Sequence, residues 1–189
     1  MSPTDEVLLA RVLLDRDRYA FSELVRRHQS AVRSFLRRLT SDRAGQADDL
    51  AQETFLEAWR TLRRFRGESP FSSWLLGIAY NRFRSARRRE KPQEELTEAT
   101  LAQAQENGDN AMASASADRQ THDLRQDLAG AMEGLEPTER TAIHLCFASG
   151  LSHPEAASVM ALPLGTLKTL VARAKTKLRD QLQAWAPDQ

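Results

Sequence analysis

The feature that most constrains the fold is a pair of helical patterns separated by a break, between Asp48 and Arg89. In the first pattern, apolar residues recur in steps of four and three, which places them on one helix face: Ala51, Phe55, Ala58, Leu62 and Phe65. Gly-Glu-Ser-Pro at 67–70 then ends the helix, because Gly and Pro favour turns. The second pattern begins apolar nearly all round, at Phe71, Trp74, Leu75, Leu76, Ile78, Ala79, Tyr80 and Phe83. Such a helix is buried between others, so the stretch predicts a helical bundle.

Two charged surfaces flank this apolar face. The second helix ends in a basic run that suits a phosphate backbone: Arg82, Arg84, Arg87, Arg88, Arg89 and Lys91. The first helix carries Asp49, Glu53 and Glu57 opposite its apolar face, with Leu56 between them. We expect solvent to reach all three carboxylates, with Arg60 as an i, i+3 partner for Glu57. Such a stripe by itself is typical of a solvated face. The neighbouring buried helix with its basic end favours a functional surface over an ordinary solvated face.

Two further helices precede this pair. They are predicted at about 5–15 and about 19–39, and the apolar stripe of the second includes His28. A histidine in such a stripe is predicted to be packed and hydrogen-bonded rather than a ligand or a base. After a turn, Asp48 and Asp49 are predicted to lie in the first turn of the next helix, where carboxylates complement the helix dipole.

The charges divide the chain into three blocks. Residues 1–89 hold 18 basic and 11 acidic residues, residues 90–139 hold 3 and 12, and residues 140–189 hold 6 and 3. The net charges of +7, −9 and +3 indicate nucleic-acid contact at both ends. From Glu90 to about Asp118, large apolar residues are scarce, and seven acids stand against one base. Such a segment cannot offset its chain entropy by burial, so it predicts a flexible acidic linker with at most transient helix.

A second helical module is predicted after the linker. Its first apolar stripe comprises Leu124, Leu128, Ala131 or Met132, and Leu135. Pro137 opens the next helix, whose predicted buried residues are Ala142, Ile143, Cys146 and Phe147. Ser-His-Pro-Glu at 152–155 is a capping box for a short helix that ends near Ala161. The last helix has an inward stripe of Leu164, Leu167, Val171, Ala174 and Leu178.

The exposed side of the last helix is polar and basic, with Thr166, Lys168, Thr169, Ala172, Arg173, Lys175 and Thr176. A short helix, a tight turn and a helix that carries cationic and hydroxyl groups form a helix-turn-helix. A solvated surface would explain this face on an isolated helix. The capping box and the turn favour binding to a DNA duplex.

Several stretches resemble region 2 of bacterial RNA polymerase sigma factors of the extracytoplasmic-function (ECF) type. They are AFSELVRRHQ at 20–29, ADDLAQETFLEAW at 47–59, FRGESPFSSWLLGIAYNR at 65–82 and the arginine cluster that follows. Region 4 of the same family resembles 124–182, most clearly in LPLGTLKT and ARAKTKLR. The resemblance implies an all-α protein of two small helical domains. A region 2-like domain is expected at 1–90, a flexible acidic linker at 91–120 and a region 4-like helix-turn-helix domain at 121–189.

The resemblance also implies a function and its residues. A sigma factor binds core RNA polymerase, directs it to a promoter and assists melting of the duplex. Contacts with the clamp helices of the largest polymerase subunit are implied at Asp48, Asp49, Gln52, Glu53, Leu56 and Glu57. Contacts with the −10 element are implied at Arg66, Gly67, Glu68, Ser69, Phe71, Trp74, Asn81, Arg84, Arg87 and Arg88, although Phe71 and Trp74 are also expected in the core. Contacts with the −35 element are implied at Thr166, Lys168, Thr169, Ala172, Arg173 and Lys175. The polymerase flap region and an anti-sigma factor are further partners of the family.

Four positions depart from the family pattern: Ser85, Ser158, Ala161 and Leu170. The family usually has Gly where Ala161 stands, and an Ala at positive φ costs on the order of 1 kcal/mol. We therefore expect a differently shaped turn at this position. Leu170 replaces an arginine, so it cannot bind phosphate, but its side chain can touch a thymine methyl group.

Other classes of function find little support. The chain has no Gly-rich phosphate loop, no HExxH motif and no nucleophile elbow, so an enzyme is not expected and no cofactor is predicted. A zinc site formed by His122, His144, Cys146 and His153 has poor geometry, because His144 and Cys146 point to different sides of a helix. One cysteine, no signal peptide and no apolar run of about 20 residues predict a cytoplasmic protein with no membrane insertion. Two alternatives remain: a helix-turn-helix regulator that works without polymerase, and a sigma-like decoy that sequesters an anti-sigma factor.

Overall fold

The protein is all-α. A computed structural model describes residues 3–40, 44–97 and 117–183. They form eight α-helices: α1 (Asp5–Asp15), α2 (Arg18–Leu39), α3 (Ala44–Thr61), α4 (Phe71–Thr97), α5 (Ala117–Glu133), α6 (Pro137–Ile143), α7 (His153–Met160) and α8 (Leu164–Gln181). A 3-10 turn (Leu62–Arg64) follows α3, and a π-helical turn (His144–Ala148) follows α6. The predicted fold class, two small helical domains, is confirmed.

The first module, α1–α4, is built around the apolar half of α4. Leu75 and Ala79 of this helix are fully buried, and α2 and α3 pack against it. His28 of α2 meets the ring of Phe71 edge-on, with 5.4 Å between ring centroids. Its Nε2 lies 2.7 Å from Oδ2 of Asp5 on α1. The prediction of a packed, hydrogen-bonded histidine is confirmed.

Two predicted boundaries in this module are wrong. Because α3 begins at Ala44, Asp48 and Asp49 lie in its second turn and not its first. Helix α4 extends to Thr97, into the segment predicted to be linker, where Glu and Gln favour helix. Residues 98–116, which hold most of the predicted linker, lie outside the described residues.

The second module, α5–α8, is closed by side-chain caps. Ser152 and Glu155 form the predicted capping box of α7, with 2.8 Å from Ser152 N to Glu155 Oε2. Glu136 and Glu139 form a second capping box, at the start of α6. Glu139 is buried and accepts a 2.7 Å hydrogen bond from Nζ of Lys177, which holds α8 against α6.

The π-helical turn changes which side chains of this module are buried. Ser149 N donates to His144 O, an i to i+5 bond that adds a residue to the turn and shifts the phase of the side chains. Leu145 therefore enters the core, whereas Phe147, predicted to be buried, is 57% exposed. Cys146 is only half-buried, and burial raises the pKa of its thiol. Leu124, Leu128 and Leu164 of the predicted apolar stripes are also exposed.

The two modules touch through α4 and α7. Ser73, buried on α4, donates from Oγ to Oε1 of Glu155 at 3.2 Å. Hydrogen bonds from Ser152, and after them the one from Ser73, lower the pKa of Glu155. The buried apolar residues of both modules form one continuous core. The sequence predicted two modules but no contact between them, because a periodic pattern does not reveal which faces of two modules meet.

The helix-turn-helix turn keeps the left-handed residue that we expected it to lose. Ala161 has φ 53° and ψ 46°. Its N–H bonds to Ser158 O, and the N–H of Leu162 bonds to Ala157 O, which together form a Schellman motif. The expectation of a differently shaped turn is therefore wrong: the helix pair holds Ala in a conformation that normally favours glycine.

Replacing Ala161 with Gly should raise the free energy of unfolding by about 1 kcal/mol, because Gly adopts positive φ at no steric cost. The matched control is Ala172→Gly at an exposed, right-handed position of α8, which should lower it by about 1 kcal/mol. Urea unfolding followed by circular dichroism measures both changes. A loss of stability in Ala161→Gly would contradict a left-handed residue at this turn.

Candidate functional site

The acidic face of α3 is open at one end and ion-paired at the other. Asp49 is exposed, and the side chain of Glu53 is 51% exposed. The side chain of Glu57 is 30% exposed, and its Oε2 accepts a 2.8 Å hydrogen bond from Nη2 of Arg82 on α4. Nη1 of Arg82 also lies 3.9 Å from Oε2 of Glu53. Solvent thus reaches Glu57 only in part, and its partner is Arg82 instead of the expected Arg60, because α4 packs beside α3 and supplies a guanidinium.

An apolar groove runs beside this acidic face, between α2 and α3. It has a volume of about 530 Å³ and is lined by Phe21, Val25, Ala51, Phe55, Leu56 and Trp59, with Gln52 beside them. Phe21 and Trp59 meet edge-on, with 4.9 Å between ring centroids. Leu56 is 57% exposed and lies where the groove meets the acidic face. Gln52 and Leu56 were predicted to contact polymerase, whereas Phe55 was assigned to the apolar stripe and Phe21 was not predicted as a site residue. The available signal was Trp59, an aromatic residue outside the predicted stripe.

Basic groups border the groove. Arg18 and Arg33 of α2 both line it, together with Gln29. Nε of Arg33 lies 3.4 Å from Oδ1 of Asp48, at ion-pair distance but without the geometry of a hydrogen bond. Asp48 therefore lies against α2, whereas Asp49 is free to meet a partner.

The basic side chains of α4 that the structure describes lie between Arg82 and Arg89. Asn81, Arg87 and Arg88 are exposed. Arg84 is half-buried over the ring of Tyr80, 5.8 Å from its centroid, and Arg87 lies 6.0 Å from the ring centroid of Phe83. Cation–π contacts with Tyr80 and Phe83 thus help to position Arg84 and Arg87 on the surface of α4.

The loop before α4 is exposed, but the aromatic residues after it are not. Arg66 and Glu68 form a solvent-exposed pair at 3.8 Å, and Gly67 between them has φ 72°. Phe71 is only 5% exposed, so in this conformation it belongs to the core. Trp74 is half-buried and stacks with Phe71, with 5.7 Å between ring centroids. The expectation that both aromatic residues are core holds fully for Phe71 only.

Part of this surface faces the second module. Ser69, Trp74 and Asn81 line a cleft of about 200 Å³, whose opposite wall includes Ser158 and Val159 of α7. In this conformation, three residues that the sequence assigned to one nucleic-acid surface therefore lie against the helix-turn-helix.

The outer face of α8 is exposed as predicted, at Thr166, Lys168, Thr169, Ala172, Arg173 and Lys175. Nζ of Lys175 lies 4.7 Å from the ring centroid of Phe147 on the π-helical turn, so that ring positions it. Leu170 is half-buried and packs on the core, which removes it from the exposed face.

Both modules of the chain match models of known protein families. The family model "Sigma-70 region 2" matches residues 24–93, and "Sigma-70, region 4" matches residues 125–178. The chain is 33% identical to the ECF RNA polymerase sigma-E factor of Haemophilus influenzae, over 95% of this chain and 96% of the relative. It is 34% identical to the protein of the same name from Escherichia coli K12, over 95% of each.

The chain belongs to the ECF sigma factors. Such a factor directs RNA polymerase to promoters, so core polymerase and promoter DNA are its partners. The sigma factor RpoE of Bartonella quintana, solved with the anti-sigma factor NepR, has a TM-score of 0.70 and 28% identity, over 86% of this chain and 96% of that one. CnrH, solved with the cytosolic domain of CnrY, has a TM-score of 0.63 and 28% identity, over 96% and 99%.

The described residues of this ECF sigma factor were also searched for membrane-spanning helices and for metal-binding clusters. Within the described ranges, no helix is both long and apolar enough to span a bilayer. In the same ranges, no three histidine, cysteine, aspartate or glutamate side chains are grouped closely enough to hold a metal ion.

The pH dependence of stability should report on His144. Burial, and after it the charges of Arg38 and Arg140, lower the pKa of His144 to about 4 in the folded protein. Between pH 6.5 and about 4, the unfolded chain binds a proton that the folded one does not, so this group makes stability fall as the pH falls through that window. Above pH 6.5 the group has no such effect. His144→Gln should lose less stability than the parent protein between pH 6.5 and 4.5, as measured by thermal unfolding. Parallel curves for the two proteins would contradict the lowered pKa.

Proposed function

We propose that the groove between α2 and α3, together with Asp49 and Glu53, is the surface that binds core polymerase. The observation that carries this proposal is the combination of an open apolar groove and exposed carboxylates on one helix. A basic partner helix with apolar residues, as expected of the polymerase clamp, matches both features. Leu56 and Trp59 supply apolar contact, and the carboxylates supply orientation and rate of association.

The exposed half of α4 and the loop at 66–69 are the proposed −10 surface. Arg87 and Arg88 bind backbone phosphates, which sets the register of the DNA without reading its sequence. Glu68 and Ser69, in the exposed turn around Gly67, offer polar groups to an unstacked base of the single strand. Phe71 supports this loop from the core.

The outer face of α8 is the proposed −35 surface. Its N-terminal half carries hydroxyl and cationic groups, which suit base edges and phosphates in the major groove.

The −10 and −35 elements are about 25 base pairs apart, roughly 85 Å at 3.4 Å per pair. Modules in direct contact through α4 and α7 cannot reach both elements. Binding to polymerase and promoter therefore requires α7 to leave α4.

The other proposed features follow from the family. The factor works with polymerase in the cytoplasm and performs no catalytic step of its own. Because the similar sigma factor RpoE was solved with the anti-sigma factor NepR, we propose an anti-sigma factor as a further partner. Transcription in vitro with purified core polymerase tests the function as a whole. Promoter binding that is equally strong without polymerase would favour a simple helix-turn-helix regulator.

Replacing Asp49 with Lys should weaken binding to core polymerase by at least about tenfold, because it sets a cation against a basic partner surface. The free energy of unfolding should change by less than about 0.5 kcal/mol, since the side chain is exposed. Fluorescence titration with core polymerase and thermal unfolding measure the two effects. Asp15→Lys, an equal charge change at the exposed end of α1, is the control and should leave both unchanged. Unaltered polymerase affinity in Asp49→Lys would leave the acidic face an ordinary solvated surface.

Replacing Arg173 with Ala should weaken binding of the polymerase complex to promoter DNA by ~1–3 kcal/mol if the side chain reads a base. The loss should then be concentrated at one −35 position, as seen in a panel of single-base promoter variants. Arg179→Ala, at the far end of the same helix, is the control with the smaller expected effect. A loss that is uniform across the panel would assign Arg173 to phosphate, and no loss would remove α8 from the interface.

A further inference from the structure

Arg82 connects the two surfaces of the first module. It belongs to α4, in the part of the helix that carries the basic side chains, but its guanidinium points to α3. There it bonds to Glu57 at 2.8 Å and lies 3.9 Å from Glu53. One cation is therefore shared by two carboxylates of the surface that we assign to polymerase.

The arginines of α4 that follow Arg82 are held differently. Arg84 and Arg87 lie over aromatic rings, and Arg88 is exposed. Among the described arginines of α4, only Arg82 has a carboxylate partner at ion-pair distance. In the free protein, its charge is thus partly neutralised and its side chain is turned away from a phosphate backbone.

Beside Arg82 lies an open cleft with space for another position of its side chain. The cleft has a volume of about 350 Å³, and its walls include Glu57, Arg64, Asn81 and Ser85. The side chains of Arg82 and Glu57 are each about one-third exposed, 34% and 30%. Pairs with this much solvent contact are weak and exchange readily with other partners.

We propose that Arg82 is a positioning residue that couples binding of polymerase to binding of DNA. This proposal rests on the proposed function of the two surfaces. Basic groups of polymerase take over Glu53 and Glu57, and the released guanidinium of Arg82 moves out to a backbone phosphate along α4. Because Glu57 and the phosphate compete for one cation, the two partners strengthen each other, and the coupling is reciprocal by linkage.

The DNA side of the coupling can be measured on the free, full-length chain. The probe is a fluorescent single-stranded 12-mer of mixed sequence, since phosphate contacts need no particular bases. Glu57→Gln should bind this probe about fivefold more tightly than the parent protein, at the low end of typical coupling. The slope of log K against log salt should become steeper by about 0.7, the value for one added phosphate contact on a single strand. Glu57→Ala, which leaves no acceptor, should show the same gain.

Two controls separate this effect from a general change of charge. Asp49→Asn removes the same charge from an exposed position with no contact to Arg82, so it should leave the salt slope unchanged. Glu57→Gln combined with Arg82→Gln should lose the gain. A gain that persists in this double variant, or an equal gain in Asp49→Asn, overturns the proposal. Circular dichroism at the assay temperature confirms that each variant is folded.

The polymerase side supplies a second readout that a purely structural ion pair would not produce. Arg82→Gln should bind core polymerase about fivefold more tightly, because it frees both carboxylates. Arg89→Gln, the same charge change on the exposed side of α4, is the matched control. Weaker polymerase binding by Arg82→Gln would show that the pair merely holds the surface together, which overturns the coupling.

Failure of the coupling is distinguishable from failure of the proposed DNA surface. Arg88→Gln in the parent protein should weaken binding of the 12-mer. If it does not, α4 is not the DNA surface, and the proposed function of that helix fails. If it does, while Glu57→Gln brings no gain, the surface is correct and only the role of Arg82 is overturned.

Discussion

The structure depends on the burial of the apolar half of α4. Leu75 and Ala79 are fully buried there, and each large apolar side chain removed from water contributes about 1.5–3 kcal/mol. Helices α2 and α3 cover this half from one side, and α7 of the second module packs against it as well. The same burial orients the rest of the helix. Once the apolar faces are packed, Arg87, Arg88 and Arg89 of α4 are left at the surface, and the acidic face of α3 lies beside α4.

That arrangement brings surfaces of opposite sign together within one small module. Opposite charges on neighbouring helices attract, and Arg82 with Glu57 is the point where they meet. Apart from Glu53, the other described charged side chains of α3 and α4 do not pair across the two helices, because each has different surroundings. Arg84 and Arg87 lie over aromatic rings of their own helix, and Asp49 is exposed on α3. One module can therefore present a surface for a basic protein and a surface for DNA without the two neutralising each other.

Much of the fold could be predicted from the sequence. The steps of three and four identified the helices, and the capping box at Ser152 was confirmed to the hydrogen bond. The predictions were wrong where the packing of the helices overrides a local sequence pattern. Phe147 follows the helical period inward, but the π-helical turn carries it to the surface. Ala161 is a poor residue for positive φ, yet packing of α7 against α8 imposes that conformation.

Residue type and spacing along the chain are enough to establish the class of the fold, the family and the identity of the charged faces. Which charges are paired depends on distances between helices, and these follow only from the packing of the chain. Arg82 and Glu57 are 25 residues apart in the chain, yet Nη2 of Arg82 lies 2.8 Å from Oε2 of Glu57. The periodicity of the sequence does not predict that contact. The same holds for the groove at Phe21 and Trp59 and for the contact of α4 with α7. Each is made by two faces that the sequence describes separately and that meet only when the helices pack.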